Sequence, residues 1–338
     1  MNATAPPETV IPDPPSLMAS LMAGFDAITR HISLILFPLA LDLLLWFGPH
    51  VKAIRLIENL ANQMVSLRMV DEASSAEWVQ ANKEMWSLIA ERLNFMIAMR
   101  TYPVGIPSLM ASRFPIKMPG GNLPAVVEMA SFGEVAFWVM VFTLVGLLAG
   151  TIYFIVVADA AVSGQVHWMQ ALRRWPKASL QVLLLTLFWG LLLFGASIPA
   201  SCVTSALLIG SPTWGRFALL LYGGVILWLI FPLLFSSHGI VVSRYGVVAS
   251  VKRGMRITRM TLPTTSLLFL VILLLSEGLD VFWKIPAEDS WLTVVAVLGH
   301  AFVTTGLLAA SFVYYHEADR WTQTVLSRWK QPPVQFKA

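Results

Sequence analysis

The chain has 338 residues, of which 57% are hydrophobic and 12% are charged. Because a soluble domain carries roughly 25% charged residues, this composition excludes an ordinary water-soluble fold. The net charge is +4, but the basic residues lie in short segments beside apolar stretches, which favours a membrane surface over nucleic acid as a partner. Cys202 is the single cysteine, which excludes an intrachain disulfide.

The first fifteen residues contain five prolines and neither lysine nor arginine. This composition is typical of a disordered tail and not of a cleavable signal peptide. The apolar stretches that follow lack the alternating pattern of a membrane barrel, and a bilayer core about 30 Å thick needs roughly 20 apolar residues per helical crossing. The sequence therefore predicts an all-α integral membrane protein with about six transmembrane helices. We place them at 32–47, 135–157, 180–200, 217–240, 264–278 and 291–315.

Three amphipathic segments precede the odd-numbered spans. Their apolar stripes have helical spacing and consist of Leu17, Leu21, Phe25, Ile28 and Ile32, then Val162, Val166, Met169 and Leu172, and then Val248, Val251 and Met255. The opposite faces are polar or basic, which is typical of helices in the headgroup layer. We therefore expect three hairpin repeats, each preceded by an interfacial amphipathic helix, around a pseudo-threefold axis near the membrane normal.

The short connections predict the orientation of the chain. Those joining spans two to three and four to five are rich in arginine and lysine, whereas the opposite short loops carry only Arg216 and Lys284. Since basic loops stay in the cytoplasm, we expect both termini there and the protein in the inner cell membrane. The predicted division is a disordered cytoplasmic tail (1–15), an interfacial helix with the first span (16–48), an extracytoplasmic helical loop (49–131), a five-span bundle (132–315) and a cytoplasmic tail (316–338).

The long loop has two parts of different character. Apolar residues at helical spacing predict two amphipathic helices, one between residues 51 and 67 and one between residues 79 and 96. After Arg100, the stretch 101–129 contains five prolines and is more apolar than a solvated linker. We expect this stretch to lie over the helix ends, where it is either a structural cap, which we favour, or a lid over a substrate.

Charged residues inside membrane spans are expensive and are therefore functional candidates. Asp42 is the clearest one. It is either part of an ion or substrate pathway or makes a structural contact near the helix end. Asp159 and His238, together with His316, lie near the same end of each repeat and either converge as a proton or metal site or are solvated separately. His300 lies deeper in its span and is either part of a pathway or a hydrogen-bonded core residue.

The basic residues of the amphipathic segments are candidate ligands for lipid headgroups. Each cation near an anionic leaflet gains about 1 kcal/mol, although ordinary topology signals have the same composition. A separate packing signal is the pair Gly146 and Gly150, whose spacing allows another helix to approach closely. The headgroup candidates are Arg30, Arg173, Arg174, Lys252, Arg253, Arg256 and Arg259.

The sequence contains no Walker, zinc-protease, nucleophile-elbow or dinucleotide-binding motif, so it predicts neither an enzyme activity nor a cofactor. The segments ALRRWPKASLQVLLLTLFWGLLLF and VKRGMRITRMTLPTTSLLFLVILLL repeat the pattern of an arginine-bearing amphipathic helix followed by a hairpin. Over residues 135–320 this pattern resembles uncharacterised bacterial six-helix membrane proteins, including the membrane domain fused to some glycerophosphodiester phosphodiesterases. The loop at 49–130 departs from that pattern.

Three functions fit these features. The first, which we favour from the sequence, is the handling or sensing of lipids, or assistance to transport, through a cleft lined by the basic helices, with anionic lipids as partners. The second is a structural or accessory subunit whose spans and long loop bind the other proteins of a larger membrane complex. The third is an ion- or proton-coupled transporter that uses Asp42 and His300.

Overall fold

The computed structural model describes residues 13–68 and 76–329, and these are almost entirely helical. Two strands of three residues, β1 (His50–Lys52) and β2 (Val126–Glu128), pair in parallel. Short 3-10 turns lie at Ile32–Ile35, Phe95–Met99 and Phe231–Leu233. The helices are α1 (Leu17–Arg30), α2 (Leu36–Phe47), α3 (Ile54–Arg68), α4 (Ala76–Arg92), α5 (Met110–Arg113), α6 (Phe132–Ser163), α7 (Trp168–Gly210), α8 (Pro212–Ile230), α9 (Ser236–Val241), α10 (Val247–Met260), α11 (Leu262–Trp283) and α12 (Leu292–Trp329).

Five helical stretches are long and apolar enough to cross a bilayer, which confirms the prediction of a multi-pass all-α membrane protein. They are α6, α7, the α8–α9 pair, α11 and α12. The predicted first span at 32–47 is a different case, because α1 and α2 meet at a break with a bend of 92° and give a sixth crossing only when they are counted together. The break lies at His31, whose ψ of 52° is outside the helical range.

The bundle has two chemically different ends. At the loop end, α2 ends and α6 begins, and residues 113–117 of the long loop meet the turn between α11 and α12. At the basic end, α6 is followed by α7 and α9 by α10. Arg173 near the start of α7 and Arg256 in α10 both lie at the basic end, where α10 also contacts α7 through a hydrogen bond from the Val247 N–H to the Gln181 side chain at 3.0 Å.

The three amphipathic segments fold in two different ways. α1 and α10 are separate helices of 14 residues each. The middle segment has no helix of its own, because Gly164 adopts a positive φ and ends α6, and α7 then runs from Trp168 directly into the span. The predicted stripe from Val162 to Leu172 is therefore divided by a turn, which corrects the expectation of an interfacial helix before every hairpin.

Each amphipathic segment packs against the second span of another hairpin. α1 lies along α12, where a Cβ atom on Gly24 would overlap the Ala310 backbone. α10 packs on α9, and the start of α7 packs on α6, where the Trp175 indole donates to the Leu148 carbonyl at 2.8 Å. α1 and α10 also bury residues at matching positions. These are Ser20, Gly24, Ala27 and Ile28 in α1 and Ser250, Gly254, Ile257 and Thr258 in α10.

The spans differ strongly in burial. Half of the apolar window is buried in α6 and in α12, against 17% in α7, 6% in α8–α9 and 11% in α11. α6 and α12 contact each other through Phe154 and Phe312, whose rings lie 5.6 Å apart, and they form the centre of the bundle. The other spans present long apolar faces outward, as expected where hydrocarbon is the solvent.

The long loop contains the two predicted helices, α3 and α4, which pack against each other. The proline-rich stretch after them lies deeper than a cap over the helix ends. A Cβ atom on Gly146 would overlap the Met99 carbonyl, and one on Gly150 would lie 2.9 Å from the Gly105 Cα. Gly146 is about 21 Å along α6 from its first residue. The glycine pair therefore admits the backbone of this re-entrant segment (residues 95–113), and not a second helix.

Candidate functional site

Asp42 lies on α2, where the re-entrant segment surrounds one of its carboxylate oxygens. The side chain is completely buried. Its Oδ1 accepts hydrogen bonds from the Ser108 hydroxyl at 2.5 Å and from the Met110 N–H at 2.9 Å, and the Ser108 oxygen in turn accepts the Ala111 N–H at 3.0 Å. These bonds hold the start of α5 against α2. They also explain why an apolar, proline-rich segment is stable deep in the bundle, since its freed backbone donors have a partner.

His300 on α12 lies between two carboxylates. Its Nδ1 is 4.0 Å from Asp42 Oδ2, and its Nε2 is 3.4 Å from Asp280 Oδ1 on α11. The other oxygen of Asp280 is 3.7 Å from the Lys284 ammonium. The exposed fraction of the side chain rises along this row, from 0% at Asp42 through 4% at His300 and 14% at Asp280 to 37% at Lys284. We call these four residues the loop-end cluster.

The atoms that face each other in this cluster lack hydrogen-bond partners. Among the described residues, none is hydrogen-bonded to Asp42 Oδ2, His300 Nδ1 or Asp280 Oδ1. The 4.0 Å separation is longer than a hydrogen bond, and the 3.4 Å contact is not aligned for one. Unpaired buried polar atoms cost free energy and call for a functional or structural reason.

Arg100 adds a cation to the surroundings of the cluster. It follows the 3-10 turn of the re-entrant segment, is exposed, and is close enough for its charge to act on Asp42, Asp280 and His300. With Lys284 it balances the two carboxylates. With both carboxylates ionised, the cluster and Arg100 together are therefore electrically neutral when His300 is neutral, and one added proton makes them positive.

Buried polar side chains continue along α12 from the loop end to the basic end. The Tyr153 hydroxyl donates to Thr305 Oγ1 at 3.0 Å, and His238 Nε2 lies 2.9 Å from Ser311 Oγ. At 1.5 Å per residue, the row covers about 27 Å along the helix axis, which is close to the thickness of a bilayer core. Its members on α12 are Thr293, His300, Thr305 and Ser311.

The predicted convergence of Asp159, His238 and His316 is not formed. Asp159 makes an ion pair with Arg174, whereas His238 is buried and contacts Ser311. Within residues 13–68 and 76–329, no group of three or more metal-ligating side chains is found. Asp159 and His238 are therefore held separately, each by its own partner.

The seven predicted headgroup ligands divide into two sets. Arg30 pairs with Asp26 on the surface of α1, and Arg174 and Arg253 form less exposed ion pairs with Asp159 and Asp319. The Arg253 guanidinium also lies 5.0 Å from the centre of the Tyr245 ring. The second set consists of exposed cations at the basic end, Arg173, Lys252, Arg256 and Arg259.

Sequence reasoning missed Asp280, Ser108 and Arg100 as parts of this site. The fifth span was expected to end at residue 278, but α11 continues to Trp283 and so includes Asp280. The spacing of Asp280 and Lys284, one helical turn apart, was a signal for a longer helix. The positions of Ser108 and Arg100 depend on the re-entrant path of the chain, which no comparable local pattern indicates.

No family model, curated protein or solved structure matches this chain. The resemblance to six-helix bacterial membrane proteins therefore stays a prediction.

Proposed function

We propose that this chain is a proton-linked membrane transporter in which Asp42, His300 and Asp280 hold and pass the proton. The observation that carries the proposal is an imidazole between two carboxylates, with unpartnered atoms facing one another in an apolar bundle. Ionisable groups in such a place mark proton and ion pathways. This geometry favours the proton-coupled hypothesis over the lipid and accessory-subunit hypotheses.

The imidazole supplies the transfer step. A proton arriving from Asp280 binds His300 Nε2, and the proton on Nδ1 leaves to Asp42 Oδ2, so that each transfer exchanges the two tautomers of the ring. The ring then rotates so that its protonated nitrogen again faces Asp42, which restores the starting arrangement. The number of protons on the ring is the same before and after. Asp280 receives the next proton from the loop end, where its side chain and that of Lys284 are the more exposed members of the cluster.

The row on α12 supports a route from the cluster to the basic end. Thr305 with Tyr153 and Ser311 with His238 place hydroxyl and imidazole groups between Asp42 and that end. Few residues in the apolar windows of α8–α9 and α11 are buried, so movement of these spans against the α6–α12 centre disturbs little buried surface. Such movement is the kind that alternating access requires.

Proton flux into proteoliposomes tests the proposal. The purified chain is reconstituted with a pH-sensitive dye inside, and a potassium diffusion potential drives protons inward. We expect D42N, H300Q and D280N to lower the flux more than tenfold, in the lower range of effects for proton-transfer groups. The matched controls D26N and H167Q remove an exposed carboxylate and an exposed histidine, and they are expected to keep the wild-type rate.

A flux no higher than in empty liposomes has a second interpretation, which is that the missing substrate blocks uncoupled movement. Infrared difference spectra between acid and neutral pH resolve this ambiguity, because they detect protonation of carboxyl groups directly. We expect a carboxyl band that D42N or D280N removes. Wild-type flux in H300Q, or the absence of both the flux and this band, rejects the proposal.

We also propose, as a second function, that the basic end binds anionic lipids in the cytoplasmic leaflet, which places both termini in the cytoplasm. The supporting observation is the set of exposed cations, Arg173, Lys252, Arg256 and Arg259. Native mass spectrometry after mild extraction tests it. We expect retained anionic lipid that is lost when the four residues are replaced by glutamine. Retention equal to wild type contradicts the proposal, and R55Q at the loop end is the control.

We infer further that the bundle consists of three related units. Two observations support this. The first is the matching buried positions of α1 and α10. The second is a cyclic packing pattern, in which α1 packs on α12, α10 packs on α9 and the start of α7 packs on α6. The row of buried polar side chains on α12, where this helix meets α6 and α9, is then near the pseudo-threefold axis. Transporters commonly bind their substrates between such repeats.

A further inference from the structure

A polar cavity of about 400 Å³ lies at the loop end, in the size range of small-molecule sites. It forms between the long loop and the turn that joins α11 to α12. The loop contributes three cations and the turn contributes two carboxylates. The charged lining residues are Arg92, Arg113, Lys117, Glu288 and Asp289.

Hydrogen bonds between the loop and the turn fix the walls of this cavity. The buried Trp46 indole N–H lies 3.2 Å from both the Lys117 carbonyl and the Glu288 carbonyl. The Glu288 carboxylate accepts the Ile116 N–H at 3.0 Å. The Arg113 guanidinium donates to the Pro286 carbonyl across the same gap. The charged side chains are therefore attached to a preorganised frame, which lowers the entropy cost of binding.

The two signs of charge identify the ligand chemistry. Guanidinium and ammonium groups bind carboxylates and phosphates through charge-assisted hydrogen bonds, whereas Glu288 and Asp289 bind a cation. Burial lowers the pKa of the Arg113 guanidinium and the Glu288 carboxylate opposes this shift, so Arg113 remains a cation at neutral pH. An apolar ligand or a lone anion leaves part of this lining without a partner.

We propose that the loop-end cavity binds a small zwitterion, with its phosphate or carboxylate on Arg92, Arg113 and Lys117 and its ammonium on Glu288 and Asp289. The ligand is either a soluble molecule or the headgroup of a zwitterionic lipid. Resting on the proposed function, the cavity is then the entry site for the transported ligand. Thr293, which contacts Arg113 at 3.5 Å, lies two turns before His300 on α12, about 10 Å along the axis.

Binding of two probes to the full chain in dodecyl maltoside, an uncharged detergent that presents no zwitterionic headgroup to the cavity, tests the proposal. The probes are glycerophosphoethanolamine, a zwitterion, and inorganic phosphate, an anion. We expect R92Q and K117Q to weaken glycerophosphoethanolamine about tenfold each, the usual effect of losing one charge-assisted hydrogen bond. E288Q, whose amide oxygen still accepts the Ile116 N–H, is expected to weaken this probe but not phosphate. R55Q on the same loop is the matched control.

The source of the ligand is decided in a second arm, with nanodiscs that contain phosphatidylethanolamine. Retention of this lipid by the wild type but not by K117Q assigns the headgroup, and undiminished binding of the free probe assigns a soluble zwitterion. Phosphate binding as tight as that of the zwitterion, or equal binding in wild type, R92Q and K117Q, overturns the proposal, as does the absence of binding by either probe and of retained phosphatidylethanolamine.

Probe binding, together with proton flux measured in proteoliposomes, separates this proposal from the proton relay. H300Q is expected to bind the zwitterionic probe like wild type, because its side chain lies outside the cavity. K117Q is expected to keep the wild-type proton flux in the absence of the probe. If the wild type conducts protons but does not bind the probe, only the cavity proposal is rejected. If it binds the probe but conducts no protons, only the relay proposal is rejected.

Discussion

Buried or half-buried carboxylates lie near both ends of α12, but they have different partners. At the basic end, Asp319 makes an ion pair with Arg253, and Asp159 on α6 does the same with Arg174. At the loop end, Asp42 and Asp280 face His300 without a completed hydrogen bond. A carboxylate with an arginine partner is stabilised in one protonation state and is suited to holding helices together. A carboxylate beside an imidazole is suited to exchanging a proton.

The comparison also concerns how each end is built. The ion pairs of the basic end join neighbouring helices directly, and their side chains remain 10–24% exposed. The loop end requires a separate segment, residues 95–113, to bury Asp42 and supply its hydrogen bonds. The first arrangement depends on pairs of side chains, whereas the second depends on the path of a backbone. The two ends should therefore fail under different substitutions.

The largest expected effect comes from G146V. Its Cβ atom would overlap the Met99 carbonyl, and since backbone atoms cannot move aside as a flexible side chain does, the re-entrant segment is displaced. We expect a loss of about 3 kcal/mol, the upper range for overpacking, and loss of proton flux. Thermal unfolding in detergent and the flux assay measure these effects. The control is G190A on α7, where an added Cβ meets no atom within 4 Å.

Displacement of the segment is tested directly by thiol labelling. Cys202 is the single cysteine, so in a C202S background a cysteine in place of the buried Ser108 reports access to the cluster. We expect faster labelling with G146V than with G190A. Equal labelling and equal stability of the two variants contradict the close approach at Gly146.

A smaller effect separates the two kinds of carboxylate. D319N leaves the partly buried Arg253 without its ion-pair partner, and we expect it to cost about 2 kcal/mol, below the range for fully buried pairs because Arg253 is 24% exposed. D42N keeps both hydrogen bonds through its amide oxygen and removes a buried charge, so its expected cost is at most about 1 kcal/mol. The functional order is reversed, since D42N is expected to abolish proton flux and D319N to keep most of it.

Unfolding temperatures and flux rates, measured on the same preparations, decide this prediction. D42N should melt closer to wild type than D319N does. If D42N is the less stable protein, Asp42 is a structural anchor and the contrast between the two ends is wrong.

Much of the fold follows from composition and periodicity. The apolar stretches at 135–157 and 291–315 coincide with parts of α6 and α12. They could be predicted because a helix surrounded by hydrocarbon needs about 20 consecutive apolar residues, and this need is visible in the sequence of the span itself. The gathering of Arg173 and Arg256 at one end follows from alternating crossings. Asp42 and His300 were also found as single candidates, since charge inside an apolar span is conspicuous by itself.

The assembly of the site was beyond local patterns. Asp42, Ser108, Asp280 and His300 come from four separate parts of the chain, and their contact depends on helix packing and on the descent of the re-entrant segment. The spacing of Gly146 and Gly150 predicted a close approach but not its partner, since a long helix and the backbone of a short turn or loop need the same missing side chain. The break at His31 was likewise hidden in a continuous helical pattern.

The smallest expected effect is on the pH dependence of stability. His50 contributes to this dependence separately from both ends of the bundle, so its contribution has to be removed before the two ends are compared. His50 in β1 is buried beside Leu45 and Lys52. Burial, with a further contribution from the Lys52 charge, lowers the pKa of His50 below its ordinary value of 6.5. Below about pH 6.5 the unfolded chain therefore binds a proton that the folded chain resists, and stability falls as the pH falls.

We expect H50Q, which retains a donor for the Leu45 carbonyl, to unfold with a weaker dependence on pH than wild type between about pH 8 and pH 5.5. The difference should be a few degrees at most. Thermal unfolding of both proteins across this range measures it, and H31Q, at the basic end, is the control. Identical pH dependence of H50Q and wild type shows that His50 titrates normally. If the acid sensitivity persists in H50Q but disappears in H300Q, it belongs to the loop-end cluster. The ion pairs of the basic end cannot account for it, because they include no histidine.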